Sequence, residues 1–192
     1  MNKSIKGTLT EQNLLKAFAG ESQAKNRYEF FSEKAREEGY EQIAAIFEKT
    51  ALQEQSHAKQ FFKFMEGGVV EIKTSYATGL ADQTIDNLKV SINEEKNGWS
   101  ELYPTFSEIA KEEGFPAIAA IFKMIAKVEA EHEKRFKKLL SGIEDGTIFH
   151  REKPVRWECR KCGYVHEGTE PPLSCPACQH PKGYFEEMAE NY

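Results

Sequence analysis

Residues 37–65 and 112–140 carry one helical pattern twice. EEGYEQIAAIFEKTALQEQSHAKQFFKFM aligns without a gap on EEGFPAIAAIFKMIAKVEAEHEKRFKKLL, at an offset of 75 residues. The offset superposes Glu54 on Glu129 and His57 on His132, so each copy holds a Glu-x-x-His. A chain that repeats a long amphipathic segment is constrained to an all-α fold built from two related halves.

The placement of these residues decides their chemistry. In the second copy Ile118, Phe122, Ile125, Phe136, Leu139 and Ile143 step by three and four, and Glu129 and His132 occupy the missing steps. In the first copy Ile43, Phe47, Thr50, Phe61 and Phe64 form the same series, with Glu54 and His57 in its gap. A stripe of this spacing faces a helical core. Charged and imidazole groups there are costly unless paired or bound to metal. A single Glu-x-x-His reads as a solvated surface pair; two copies on the buried stripe read as metal ligands.

The rest of the chain supplies two more helices. Thr10 is the expected N-cap of the first, with Asn13 three residues on; the helix should run to about Glu38 and stop at Gly39. Its stripe is Leu14, Phe18, Tyr28 and Ala35, and Glu21 fills the step between Phe18 and Tyr28. The second helix should extend from about Glu41 to Glu66, closed by Gly67 and Gly68. Residues 67–81 are too long for a tight hairpin and suit a lengthwise crossover. The third helix is expected from about Asp82 to Glu113, with the stripe Ile85, Leu88, Ile92, Trp99, Leu102, Phe106 and Ile109 and with Glu95 in its gap. Pro104 predicts a kink or a widened turn inside it. Gly114 stops this helix, Pro116 opens the fourth, and Gly146 closes that one after about Glu144.

The first and third helices are also related. FSEKAREEG at 31–39 lies over FSEIAKEEG at 106–114, and Tyr28 falls on Tyr103. Upstream the register slips by one, because Glu21 is ten residues before Phe31 and Glu95 is eleven before Phe106. If Glu21 and Glu95 are equivalent, a π-bulge near Trp99–Pro104 absorbs the extra residue. Without one, Glu94 or Lys96 faces the core instead. Four inward glutamates and two histidines form the di-iron or di-manganese carboxylate arrangement of a ferritin-like four-helix bundle. The bundle is expected over residues 1–146.

Helical periodicity ends near Pro154. A linker over 147–153 and a small second domain over 154–192 are expected. Its cysteines follow Cys159-x2-Cys162-x12-Cys175-x2-Cys178. Two such knuckles make a tetrahedral thiolate site, and the spacing leaves zinc and a single iron open. So short a segment buries little core, so the metal should supply much of its stability. The net charge of −5 and the lack of an Arg/Lys-rich run exclude a nucleic-acid surface. No apolar run reaches membrane-spanning length, and MNKSIKGTLT has no apolar segment of a signal peptide, so a cytoplasmic protein is expected.

AFAGESQAKNRY at 17–28, the paired Glu-x-x-His motifs and the terminal CxxCGY…CPAC module together resemble the rubrerythrin family over essentially the whole chain. The resemblance implies a di-iron bundle followed by a rubredoxin-like domain with one iron on Cys159, Cys162, Cys175 and Cys178. It implies that Glu54 and Glu129 bridge two irons, that Glu21 and His57 belong to one of them, and that Glu95 and His132 belong to the other. Tyr28 and Tyr103 match the family's tyrosines that bond ligand carboxylates; plain core packing is the alternative. The implied activity is reduction of hydrogen peroxide to water, with electrons from rubredoxin or an NAD(P)H-dependent reductase, in a homodimer. A peroxide or oxygen sensor and a ferroxidase are the competing functions. One position departs from the pattern: Gly98 stands where the family usually has a glutamate that exchanges with a histidine on one iron. That leaves the place to Glu94, to water, or open. His150, His166 and His180 fall outside these patterns, and Glu131 and Glu133 read as solvated helix charges.

Overall fold

The structure is a computed structural model that describes residues 3–76 and 83–191. Helix α1 is Leu9–Glu37, α2 Glu41–Phe62, α3 Thr84–Asn97, α4 Tyr103–Glu112 and α5 Pro116–Glu144. A π-helical segment, Gly98–Leu102, joins α3 to α4, so these three pieces form one long third helix. The expected start of that helix at Asp82 and part of the 67–81 crossover lie outside the described residues. α1 packs along α2, and α5 packs along α3 and α4. Three short strands follow: β1 Val155–Cys159, β2 Val165–Gly168 and β3 Phe185–Glu187. They form an antiparallel sheet in the order β2-β1-β3.

The helix ends differ from expectation for local reasons. The N-cap of α1 is Thr8, whose hydroxyl oxygen accepts from the Glu11 N–H at 3.1 Å. Glu11 in turn accepts from the Gly7 N–H at 2.8 Å, a reciprocal box that fixes the start two residues before Thr10. Thr10 is buried and donates its hydroxyl to Glu113 at 2.6 Å, tying α1 to the end of α4. α2 stops at Phe62 and not at Glu66. The Glu66 carboxylate is drawn away to the Ser4 hydroxyl at 2.5 Å and the Ile5 N–H at 3.0 Å. Gly39, Gly114 and Gly146 terminate helices with positive φ, as their positions predict.

The bundle core is split into two apolar clusters. Leu14, Phe61, Phe106, Phe115, Ile118 and Phe122 form one. Tyr28, Phe31, Ile43, Phe47, Leu88 and Phe136 form the other. Each large side chain so buried contributes on the order of 2 kcal/mol. Along α1, α2 and α5 the chain passes from one cluster to the other through Glu21, through Glu54 and His57, and through Glu129 and His132. Trp99 and Leu102 do not extend either core; they are 36% and 37% exposed. The π segment turns the helix by part of a turn, which rotates both outward and returns Tyr103 and Phe106 to the interior.

The strand region has a small core of Trp157, Cys159, Cys175 and Phe185. It sits on the turn between α1 and α2. The Tyr40 and Phe149 rings stack at 6.3 Å, with the Lys182 ammonium 5.7 Å from the Phe149 centroid. Gly183 lies so close to Gly39 that a β-carbon there would stand 2.2 Å from the Gly39 carbonyl oxygen. Gly183→Ala should therefore push the two parts of the chain apart. Hydrogen exchange should rise at residues 38–41 while metal on the cysteines is retained; unchanged exchange would show that the contact tolerates a side chain.

Candidate metal centres

Four helical pieces deliver six side chains to one point between the two apolar clusters. Glu21 comes from α1, Glu54 and His57 from α2, Glu95 from α3, and Glu129 and His132 from α5. They fall into two overlapping groups. Glu21, Glu54, His57 and Glu129 form one, and Glu54, Glu95, Glu129 and His132 the other, with donor atoms within 4.8 Å in each. All are buried except His57, which is partly so.

The two shared glutamates each offer one oxygen to each half. Glu54 places Oε2 2.9 Å from His57 Nδ1 and Oε1 3.0 Å from His132 Nδ1. Glu129 places Oε1 3.1 Å from His57 Nδ1 and Oε2 3.1 Å from His132 Nδ1. The outer glutamates serve one half apiece. Glu21 Oε2 is 3.9 Å from His57 Nδ1, and Glu95 Oε2 is 3.5 Å from His132 Nδ1. Their other oxygens accept from tyrosines in a crossed pattern, Tyr103 bonding Glu21 and Tyr28 bonding Glu95. Each tyrosine thus pins the carboxylate of the opposite half.

This donor set fits two metal ions. A metal bound at about 2.1 Å holds neighbouring ligand atoms about 3.0 Å apart, as the oxygens of Glu54 and Glu129 are from the imidazole nitrogens. Glu54 Oε1 and Glu129 Oε1 are buried and make no hydrogen bond, although each lies close to an imidazole nitrogen. One proton on each Nδ1 cannot serve two carboxylates, so the geometry asks for a cation between them. Burial raises the carboxyl of Glu21 well above its ordinary range, helped by Glu129 and Glu54. Burial and the Glu129 charge push Glu95 up to about 8. Burial also opposes ionisation of Glu54 and Glu129, yet hydrogen bonds from His132 and His57 hold both below the ordinary value. For the imidazoles burial works against the charge, but their bonds to Glu129 and Glu54 win, bringing His57 to about 9 and His132 to about 12.

The four cysteines form the second centre. Cys159 and Cys178 Sγ are 3.8 Å apart, and Cys162 and Cys175 Sγ 3.6 Å. A tetrahedron with metal–sulfur bonds of about 2.3 Å has edges of about 3.8 Å, so the set fits a single ion. Burial opposes the Cys175 thiolate, but the backbone N–H groups of Cys178 and Ala177 bring it down to about 7. Cys162 is exposed, which leaves one edge of this centre at the surface.

Several neighbours were not legible from spacing. Glu133 is not solvated: it is 5% exposed and accepts from the Trp99 indole N–H at 2.8 Å and from Lys137 at 2.7 Å. The outward turn of Trp99 creates that partnership, so only the slip in register could have signalled it. Glu131 is exposed, as expected. Glu94 is ion-paired with Arg27 and belongs to neither ligand group. It lines a cavity of about 380 Å³ together with Gly20, Glu21, Arg27, Glu95, Gly98 and Glu129. A β-carbon at Gly98 would lie 3.5 Å from Glu129 Cγ, an ordinary contact, so this glycine packs directly beside a shared carboxylate. His150 is exposed, 3.3 Å from Glu170, and His180 contacts the Cys178 carbonyl at 3.1 Å; neither joins a metal group.

Fold and donor sets together define a ferritin-like four-helix metalloprotein with an appended thiolate–metal domain. The family model described as Rubrerythrin matches residues 12–140 and again 86–159, and the one described as Rubrerythrin, rubredoxin-like domain matches residues 157–186. Rubrerythrin of Porphyromonas gingivalis is 55% identical over 192 residues, covering 100% of this chain and 96% of that protein. Rubrerythrin of Nitratidesulfovibrio vulgaris is 50% identical over 190 residues, covering 99% and 100%. The solved structure of fully reduced, all-ferrous nigerythrin matches with a TM-score of 0.64 at 31% identity, covering 97% of this chain and 92% of that one. The chain belongs to the rubrerythrin family. Its cofactors are a di-iron site in the bundle and an iron on the four-cysteine domain.

The metal-free protein should respond to pH with a defined sign. His57 and Glu95 both hold a proton more tightly folded than unfolded. That stabilisation is present below their ordinary values and is lost as pH rises through about 8 to 9. Metal binding must displace the same protons, so affinity rises over that window. Calorimetry between pH 7 and 9 should show the metal-free melting temperature falling and its gap from the metal-loaded form widening; a narrowing gap would contradict the assignment.

Proposed function

We propose that the protein is a peroxidase that reduces hydrogen peroxide to water: one peroxide takes two electrons and two protons and gives two waters. The observation that carries this reading is the joining of a buried carboxylate–histidine pair of sites to an electron-carrying thiolate centre in one chain. A storage protein or a ferroxidase has no need of the second centre. In this reading residues 1–146 are the reacting bundle, 147–153 the linker and 154–192 the electron-entry domain.

Glu54 and Glu129 would be shared by the two irons, with Glu21 and His57 completing one site and Glu95 and His132 the other. When bound, the irons supply the electrons for the O–O bond and a Lewis-acid hold on its oxygens. The chain does the rest. Tyr28 and Tyr103 keep their protons, because burial and the adjoining carboxylates push both well above the ordinary phenol value. They therefore act as fixed donors that orient Glu95 and Glu21. Peroxide would enter through the cavity lined by Gly20 and Gly98. With Glu94 engaged by Arg27, the place beside Gly98 would be left open or to water in the oxidised state. Burial raises the Glu94 carboxyl above its ordinary value, which suits it to pass protons along that cavity. The apolar clusters on either side exclude bulk water from the reacting atoms.

Electrons arrive from rubredoxin or an NAD(P)H-dependent reductase in the cytoplasm, where free thiols persist as ligands. The thiolate domain packs on the α1–α2 turn of its own chain, and Glu54 lies about 20 Å further along α2. That separation favours a homodimer in which the thiolate domain of one chain serves the bundle of the other. A second reading, a sensor oxidised once by peroxide, shares the same ligands.

Three experiments decide these points. Iron-loaded protein should contain about three irons per chain. Cys175→Ser should lose the thiolate iron and its colour, and Glu54→Ala should lose the di-iron pair with its helical circular dichroism retained. Full iron retention in either variant would refute that assignment. Anaerobic consumption of peroxide with a reductase should continue over many turnovers; a single oxidation that the reductase cannot reverse would establish the sensor. Verified mixed dimers of a Glu54→Ala chain and a Cys159→Ser, Cys162→Ser chain should regain part of the activity if transfer crosses between chains, and none if it does not.

A further inference from the structure

The ligands of the two iron sites are related by the duplication, but the charges around them are not. One turn beyond His132 on α5, Arg135 reaches across to α2. Its Nη2 donates to the Thr50 hydroxyl at 2.7 Å and to Gln53 Oε1 at 3.2 Å. Thr50 is one turn before Glu54 and Gln53 is beside it, so the guanidinium lies at the edge of the metal cluster. The offset of 75 gives the corresponding residues of the other half: Ile125 for Thr50, Val128 for Gln53 and Gln60 for Arg135. All three linked positions are polar on one side, and none of their counterparts carries a charge. Gln60 only accepts from the surface Lys63.

We propose that Arg135 is a positioning residue whose fixed positive charge makes the two iron sites unequal, weakening metal binding and favouring the ferrous state at the Glu95–His132 site. The reasoning is electrostatic. Four carboxylates balance the charge of two divalent ions, so the guanidinium is an uncompensated cation near one of them. It repels the metal and disfavours the loss of a further electron there. Arg135 follows His132 by one turn on the same helix, which places it on that side. Its Nε is buried without a hydrogen-bond partner among the described residues, so none of them offsets it with a second anion at that atom.

The inference requires the di-iron site but not its peroxidase activity, so it can be tested on protein that turns nothing over. Metal-free wild type, Arg135→Gln, Arg135→Lys and the doubly altered Thr50→Val, Gln53→Met protein are titrated with Co2+. The di-iron potential of each iron-loaded protein is then measured. Arg135→Gln should tighten the weaker of the two metal-binding steps roughly tenfold and lower the potential of one iron. Arg135→Lys, which keeps the charge, should stay close to wild type. So should the double variant, which keeps the charge and loses the link to α2. If Arg135→Gln and Arg135→Lys behave alike, or the double variant reproduces the shift, Arg135 acts as a helix–helix link and the proposal falls. If Arg135→Gln does not fold, a shift in Arg135→Lys or in the double variant overturns it equally.

Discussion

The constraint on which this molecule depends is the burial of four carboxylates and two imidazoles at the centre of a helical bundle. Desolvation is the largest influence on each of them. Without metal, the cluster survives only by holding protons on its histidines and outer glutamates. With metal, the same oxygens and nitrogens exchange those protons for cations. Either way the groups must be held apart at ligand distance, which a soft interior would not do. Two packed apolar clusters, one on each side along the helices, supply that rigidity. The crossed tyrosines complete it, since each ties the carboxylate of one half to a helix of the other.

The duplication explains why such a site is economical to encode. One helix pair with a Glu and a Glu-x-x-His cannot bury its own charged stripe. Two pairs facing each other bury both and share the central glutamates. One departure from the repeat, the extra residue before Phe106, has consequences at a distance. The π segment that absorbs it swings Trp99 outward onto Glu133 and leaves Gly98 beside Glu129. Residues that look equivalent in a one-dimensional alignment are thereby given different neighbours.

What could be read from the chain, and what could not, follows from the range of each interaction. Helical periodicity is local, so the stripe and its charged gaps are visible in the letters. The slip between Glu21 and Glu95 points to the π segment because it is a mismatch between two otherwise matching strings. Cysteine spacing shows a tetrahedral site because two short knuckles define it alone. Thr10 misleads because a capping box formed by Gly7, Thr8 and Glu11 lies just upstream, and because its own hydroxyl is claimed by Glu113 over a hundred residues away. Glu66 misleads for the same reason: its partners are Ser4 and Ile5. Trp99 and Leu102 fit the stripe by count, but the count assumes 3.6 residues per turn, which the π segment breaks. The seating of the thiolate domain depends on Gly183 meeting Gly39, a contact between two glycines that no periodicity announces.

The symmetry of the ligands and the asymmetry of their surroundings then bear on one another. In the proposed reaction a peroxide bond would be cleaved by a pair of electrons, and two equal irons would release them from equal sites. The cavity reaches the cluster on the side where Gly98 adjoins Glu129, while Arg135 stands with Thr50 and Gln53 on the other side of Glu54. Access and charge are thus distributed differently around a nearly two-fold set of ligands. Gene duplication alone would preserve the two-fold set; only departures from it, at the extra residue of the third helix and at position 135, can assign the two sites different tasks.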